Sequence, residues 1–400
     1  MRYNYRLYPN HEQQQLMVQI MGQQRFVWNH FLGKEIERYK ETKKFNFYNL
    51  NAGELPALKK EFEWLKMGPS QSLQQTLRDL NNALITSCKN KDRGFPRFKK
   101  RKEFEGSFRV VQTGSWKFTR KFISIPKVGD IKWALHRDIP SSFSTATIFL
   151  DGDNWFVSLV VDRKEAEPVD VKSIVGLDLN SKDLVVTSDG ECFKNQKYLK
   201  KYSKKLKKIQ RQFAKTKKDS NRRNRKQLQL RKCYKKITNC RKDTLHKISS
   251  QIVNDYDLIS IENLNVKGMQ KFNGSMVQDA GWSILTSMLT YKAKLYGKHI
   301  VKIDRFDPSS KACNNCGEIK KALKLSDRTY NCDQCGIEID RDFNAALNIR
   351  DWGIWKHTDG TSGINGRGDT AVGDSEQSGS RYVSLNRQKF LVKNQEAGYA

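Results

Sequence analysis

Three acidic residues, Asp178, Glu262 and Asp342, stand beside short apolar runs of the kind that become buried secondary structure. An ionised carboxylate is costly to bury unless it binds a cation, so acids in such places are candidate metal ligands. Asp178 lies in Ile174-Val-Gly-Leu-Asp-Leu179, an apolar strand that continues through Lys182 to Gly190 as a hairpin. Glu262 follows Leu258-Ile-Ser-Ile261, a second short buried strand, and Asp342 precedes Phe343-Asn-Ala-Ala-Leu-Asn-Ile349, an amphipathic helix whose first turn favours negative charge. Carboxylates brought together from two strands and a helix start can hold two Mg²⁺ ions about 4 Å apart, one activating water and one stabilising the leaving oxygen. That is the chemistry of phosphodiester hydrolysis. Taken singly, an acid on a strand or at a helix start is usually structural; the order and context of the three together carry the reading.

A second constellation is Cys313-Asn-Asn-Cys316 and Cys332-Asp-Gln-Cys335, each pair followed directly by a glycine, Gly317 and Gly336. Two such knuckles supply four thiolates for one tetrahedral Zn²⁺, and the closed shell makes that zinc structural. A redox CxxC site would not need two matched pairs. The other cysteines, Cys88, Cys192, Cys233 and Cys240, are scattered, which suits a reducing compartment without disulfides.

The elements that must position these groups spread over 400 residues, enough for two or three compact modules. Lys and Arg number 74 against 43 Asp and Glu, a net charge of +31 that calls for a polyanionic partner, nucleic acid. No stretch reaches the roughly 20 apolar residues of a membrane span and Met1-Arg-Tyr-Asn-Tyr5 lacks a secretory apolar run, so the expected location is the cytoplasm, with no membrane partner.

Residues 11–104 read as a helical module, with Leu16, Ile20, Phe26, Val27, Phe31 and Ile36, then Leu73, Leu77, Leu80 and Leu84, at helical steps. It ends in the basic, aromatic-interleaved run Gly94–Lys102, where Arg97, Lys99, Lys100 and Arg101 are candidate phosphate contacts. Residues 105–168, with 1–10, switch to a period of two and read as a small antiparallel β-barrel, including a turn at Asp151-Gly-Asp-Asn154. Within 194–247, Leu199, Tyr202, Leu206, Ile209 and Phe213, then Leu230, Cys233 or Tyr234 and Ile237, predict a helical hairpin with an apolar seam. Its cationic exterior offers Lys204, Lys208, Arg211, Arg222 and Arg223 to nucleic acid. Residues 357–400, poor in large apolar side chains, read as a disordered tail.

These residues resemble TnpB, the nuclease family of bacterial insertion sequences related to compact type V CRISPR effectors. Gly176-Leu-Asp-Leu179 looks like the first RuvC motif, Ile261-Glu-Asn-Leu-Asn-Val-Lys-Gly-Met269 like the second and Asp340-Arg-Asp-Phe-Asn-Ala-Ala346 like the third; Arg305–Cys313 and the paired cysteines look like the family's zinc ribbon. Trp282 to Gly297 is similar to the helix after the second motif.

The resemblance implies a multidomain α+β protein. A helical recognition module and a β-barrel wedge would precede an RNase H-like RuvC α/β nuclease domain over 169–308 and 338–356, with a zinc ribbon at 309–337. It implies that Asp178, Glu262 and Asp342 hold two catalytic Mg²⁺, Asp342 being preferred to its rival Asp340. It also implies a guide RNA from the end of the mobile element, a double-stranded DNA target beside a short motif, and one chain per RNA. Gln74, Gln75 and Gln112 are its candidate base contacts. Asn180 stands where the family often has glycine and Asp183 where asparagine is common; neither removes a ligand. A nuclease-dead repressor on the same scaffold would lose part of the acidic trio, and here all three remain. An unguided nuclease would need neither the cationic hairpin nor the helical module.

Overall fold

A computed structural model of the chain describes residues 1–362 apart from 47, 91, 101–105, 112–115, 140–142, 144 and 325–326, with the side chains of 359–362 also outside the description. Arg101, Gln112 and residues 363–400 of the expected tail therefore lie outside the described residues. The chain divides into two compact units, Met1–Arg163 and Lys164–Ala400.

In the first unit, β1 (Arg2–Tyr8) alternates exposed and buried residues, with Tyr3, Tyr5 and Leu7 inside. Asn10 then starts α1 (His11–Thr42) through a capping box: its side chain accepts from the Gln13 amide at 2.8 Å, and the Gln13 side chain accepts from the Asn10 amide at 3.0 Å. This one long helix serves two cores. Met17, Ile20 and Met21 pack on the sheet, whereas Val27, Trp28, Phe31 and Leu32 join α2 (Tyr48–Glu61) and the Leu73, Leu77, Leu80 and Leu84 face of α3 (Ser70–Lys89).

The sheet adds β2 (Ser107–Val111), β3 (Phe122–Ile125), β4 (Gly129–Trp133), β5 (Thr145–Asp151) and β6 (Asn154–Val160) in the antiparallel order β2-β5-β6-β1-β4-β3. Strands β2 and β3 each pair with one strand among the described residues, and the buried residues of all six strands make one core. Gly152, at φ +69°, opens the two-residue turn between β5 and β6.

The second unit holds the expected RNase H-like domain. Its mixed sheet contains β7 (Ile174–Asp178), β8 (Val185–Thr187), β9 (Cys192–Phe193), β10 (Leu258–Ile261) and β11 (His299–Lys302), in the order β11-β10-β7-β8-β9. Strands β7, β10 and β11 run parallel, while β8 runs antiparallel to its two neighbours, β7 and β9. Burial on both faces explains why β7 and β10 read as near-continuous apolar runs.

Between β9 and β10 come α4 (Tyr198–Ala214) and α5 (Asn221–Asp255), the hairpin expected from the apolar seam. Leu206, Ile209, Cys233 and Ile237 form its small core with Tyr198, Leu199, Tyr202 and Leu230 at the margin. After β10 follow α6 (Val266–Ala280) and α7 (Trp282–Leu295); the short hairpin of β12 (Thr329–Asn331) and β13 (Glu338–Asp340) leads to α8 (Arg341–Ser362).

Helix α8 lies directly on the sheet. A Cβ at Gly176 of β7 would collide with the Ala346 carbonyl and the Arg350 amide of α8, and one at Gly353 of α8 would collide with Ser260 of β10. Gly176 allows a backbone-to-backbone approach that no side chain permits, and Gly353 leaves room on α8 for the Ser260 side chain. The helix also runs to Ser362, past the expected end of the folded chain near Trp355, with the Thr358 hydroxyl donating to the Trp355 carbonyl at 2.9 Å.

Candidate active site and cysteine cluster

Strand register brings the first two acids together. Ile261 of β10 pairs with Leu177 of the parallel β7, so the next residues along each strand, Glu262 and Asp178, leave the sheet side by side. Asp342, in the first turn of α8, arrives from the helix that packs on β7. The three are thus gathered at the carboxyl ends of adjacent parallel strands, the usual position for a site in open α/β sheets.

The charges are poorly compensated. Asp178 is 8% exposed, and burial, followed by the neighbouring Glu262 and Asp342, pushes its pKa up to about 8. Burial also raises Glu262, although the Ser309 hydroxyl donates to its Oε1 at 2.6 Å. Asp342 is raised by burial and by Asp340, against the pull of Arg328, whose Nη1 stands 3.8 Å from Oδ2. Carboxylates that burial and one another hold above their ordinary range, against the weaker pull of Arg328 and Arg341, fit a hard divalent cation such as Mg²⁺. A cleft of about 540 Å³ opens at Glu262, lined further by Asn263, Thr286, Thr290, Tyr291 and Lys302.

Asp340, the rival of Asp342, has other work. Its Oδ1 accepts from the amides of Asp342 at 2.9 Å and Phe343 at 3.0 Å, which makes it an N-terminal cap of α8, and it is exposed.

The four cysteines converge as their spacing predicts. Their sulfurs lie within 4.8 Å of one another, with Cys313–Cys335 at 3.7 Å and Cys316–Cys332 at 3.5 Å. A tetrahedron with Zn–S bonds of about 2.3 Å has edges of about 3.8 Å, so the cluster has the geometry of a zinc site. Gly317 and Gly336, at φ +82° and +71°, close the two knuckles by donating to the carbonyls of Cys313 and Cys332.

This ribbon is tied to the acidic centre. Asn344 Nδ2 on α8 donates to the Ala312 carbonyl and its Oδ1 accepts from the Asn314 amide, while Asn348 Nδ2 donates to the carbonyls of Ser309 and Ala312. Ser309, fixed in this way, reaches Glu262. Sequence reasoning missed Ser309, Asn344 and Asn348, because a serine before a CxxC and asparagines on a helix carry no distinct signal in one chain. In the sequence Asn180 is only a departure from a family pattern, yet its Nδ2 lies 3.2 Å from Oδ2 of both Asp178 and Asp342.

The candidate nucleic-acid contacts have different environments. Lys204, Lys208, Arg211 and Arg222 are exposed along the hairpin, whereas Arg223 is half-buried over the Phe213 ring at 4.2 Å. Gln74 is exposed and Gln75 half-buried on α3. The basic run is pinned to α1: Trp28 Nε1 donates to the Arg97 carbonyl at 3.1 Å, Asn29 bonds both backbone groups of Lys99, and Lys99 Nζ sits 3.8 Å from the Trp28 ring centre. Arg97 and Lys100 are exposed beside it.

An RNase H-order sheet with a carboxylate cluster at the ends of its parallel strands, and a four-cysteine knuckle before its last helix, defines a protein of the RuvC-like class. Residues 158–273 match the OrfB family of IS605 elements, described as "Probable transposase", and residues 282–349 match the "Cas12f1-like, TNB domain". Residues 1–44 match that OrfB family's "Helix-turn-helix domain", a segment that here forms β1 and α1. A protein of Streptomyces pristinaespiralis described as "Putative RNA-guided DNA endonuclease" is 33% identical over 360 residues, covering 87% of this chain and 88% of its own length. The Escherichia coli K12 protein InsQ, with the same description, is 29% identical over 367 residues, covering 87% and 90%. The CRISPR-associated endodeoxyribonuclease Cas12f1 of Sulfoacidibacillus thermotolerans is 30% identical over 119 residues, 28% of each chain. The chain belongs to the TnpB family.

Proposed function

We propose that the chain is a Mg²⁺-dependent, RNA-guided DNA endonuclease in which Asp178, Glu262 and Asp342 hold the catalytic metal. The observation that carries this reading is the register of β7 and β10, which sets Asp178 and Glu262 side by side, with Asp342 joined to Asp178 through Asn180. The relatives' descriptions as RNA-guided endonucleases, over nearly the whole chain, support it.

When bound, two Mg²⁺ ions would supply positive charge that activates water and stabilises the leaving oxygen. The protein's own part is positional. Asp178 and Glu262 project from the carboxyl ends of two interior strands, Asp342 from a capped helix start, and Ser309 keeps Glu262 turned toward the site. The cleft at Glu262 admits one strand of the target, with Lys302 on its wall. Exposed Lys204, Lys208, Arg211 and Arg222, together with Arg97 and Lys100, hold phosphates of the guide RNA and of its duplex with DNA.

In this reading residues 11–104 form the recognition module, residues 1–10 with 105–168 the wedge, and the four cysteines bind one structural Zn²⁺. The protein works in the cytoplasm as one chain per RNA; among the described residues no helix is long and apolar enough to cross a membrane.

The test is to purify the chain with its co-expressed RNA and assay a matching plasmid with Mg²⁺, with EDTA and with Asp178→Ala. Cleavage that needs RNA, metal and Asp178 supports the proposal. Guided binding without cutting would replace it with a repressor.

A further inference from the structure

Asn180 follows the strand that carries Asp178, at a position where a glycine would offer only backbone. Its amide is used completely. Oδ1 accepts from the Lys182 amide at 3.0 Å and the Asp183 amide at 2.8 Å, while Nδ2 faces Oδ2 of Asp178 and Oδ2 of Asp342, each at 3.2 Å. These contacts fix the amide's orientation without ambiguity. Two backbone donors require the oxygen on one side, which turns the NH₂ toward two acceptors that could not be faced by an oxygen.

We infer that Asn180 is a positioning residue of the acidic centre: its NH₂ spans Asp178 and Asp342 and fixes one carboxylate relative to the other for the divalent cation they would hold. This rests on the reading of those two acids as metal ligands. Two carboxylates at this range repel, and the one from β7 and the one from α8 have no covalent reason to keep a fixed distance. A neutral donor with two hydrogens bridges them without competing as a cation. It occupies one oxygen of each acid and leaves each the other. The turn at Lys182 and Asp183 in turn clamps the amide, so the backbone after β7 sets the spacing between strand and helix. Partners that hydrogen-bond metal-binding carboxylates in this way contribute to metal affinity through orientation.

Two variants separate this role from a simple turn. Asn180→Ala removes both the donors and the turn acceptor. Asn180→Asp keeps an acceptor for the Lys182 and Asp183 amides but replaces the donors with a third negative charge. The full chain, purified with its RNA and stripped of divalent metal, is titrated with Mn²⁺ by electron paramagnetic resonance and melted in EDTA, with Asp178→Ala as reference.

Wild type is expected to bind Mn²⁺ and Asp178→Ala to lose that binding. Asn180→Ala is expected to bind about tenfold more weakly. It should need a correspondingly higher Mg²⁺ concentration for half-maximal cleavage, with the rate recovering at saturation. Asn180→Asp is expected to melt below wild type in EDTA and to gain more from added Mn²⁺. If Asp178→Ala abolishes Mn²⁺ binding but Asn180→Ala binds like wild type, the positioning role is overturned and the site stands. If Asn180→Asp matches wild type both in Mn²⁺ affinity and in metal-free melting, only the turn matters and the inference also falls. If Asp178→Ala binds Mn²⁺ unchanged, the assignment of the site itself fails, and the inference with it.

Discussion

The two ends of strand β10 carry the same chemical group in opposite circumstances. At its start, Asp257 is surrounded by donors: Oδ2 accepts from the amides of Lys172 and Ser173 and from the Ser173 hydroxyl, and Oδ1 accepts from Lys298 Nζ at 2.6 Å. These contacts stitch together the starts of all three parallel strands and hold the Asp257 carboxyl well below the usual carboxylate range, with the Lys298 bond the largest cause. At its finish, Glu262 has the Ser309 hydroxyl and, beside it, the carboxylate of Asp178, and burial raises it. One end of the sheet invests its charge in stability, and the other leaves charge uncompensated for a ligand to neutralise. Uncompensated charge at the carboxyl ends of parallel strands, when the same sheet satisfies its other end fully, is an argument for function that neither acid provides alone.

The largest test of that contrast exchanges the two losses. Asp178→Ala should reduce guided cleavage by about a thousandfold or more while metal-free stability holds or rises, because a buried like charge is removed. Asp257→Ala should do the reverse. Breaking its largely buried pair with Lys298 should cost about 3 kcal/mol in denaturant unfolding, with cleavage retained wherever the chain stays folded. A stability loss in the first variant comparable to that in the second would mean the acidic centre is structural.

Much of this arrangement was legible in the chain and some of it was not, for physical reasons. Apolar runs ending in an acid give Asp178 and Glu262 on strands, because strands buried on both faces leave little room for anything polar except at their ends. The CxxC pairs are legible because their geometry is local. The hairpin seam of Leu206, Ile209, Cys233 and Ile237 follows from spacing alone. Asp340 and Asp342 could not be separated by local pattern, since they flank the start of one helix; the capping bonds of Asp340 and the Asn180 contact of Asp342 distinguish them only in the fold. Arg223 counts as surface charge in the sequence but stacks on Phe213, a contact made across the hairpin turn. Asp257 gave no signal at all. Its three kinds of donor come from residues 172–173 and 298, and a carboxylate's value there depends on which strands become neighbours.

Smaller perturbations sharpen the comparison by moving one end and not the other. Gly176→Ala places a methyl group against the α8 backbone and should cost about 2 kcal/mol by overpacking. It should also displace Asp342 from Asp178, so Mn²⁺ affinity should fall in variants that remain folded. Ser309→Ala removes the one hydroxyl on Glu262 and should raise the Mg²⁺ needed for half-maximal cleavage by about tenfold, with Ser309→Thr restoring it.

The mildest test uses acid. Because the folded-state pKa of Asp257 is depressed below its unfolded value of about 3.9, the unfolded chain binds more protons once pH falls near that value. Its contribution is therefore complete at neutral pH and fades as pH drops through about 4 toward the folded pKa. Asp257→Asn keeps the shape but not the charge, so its deficit in unfolding midpoint against wild type should be full at neutral pH and narrow steadily in acid. The narrowing should persist in EDTA, since the protein's own donors satisfy the carboxylate at that end of the sheet. A deficit independent of pH would show that Asp257 acts through shape alone, and the difference between the two ends of β10 would then not be one of charge.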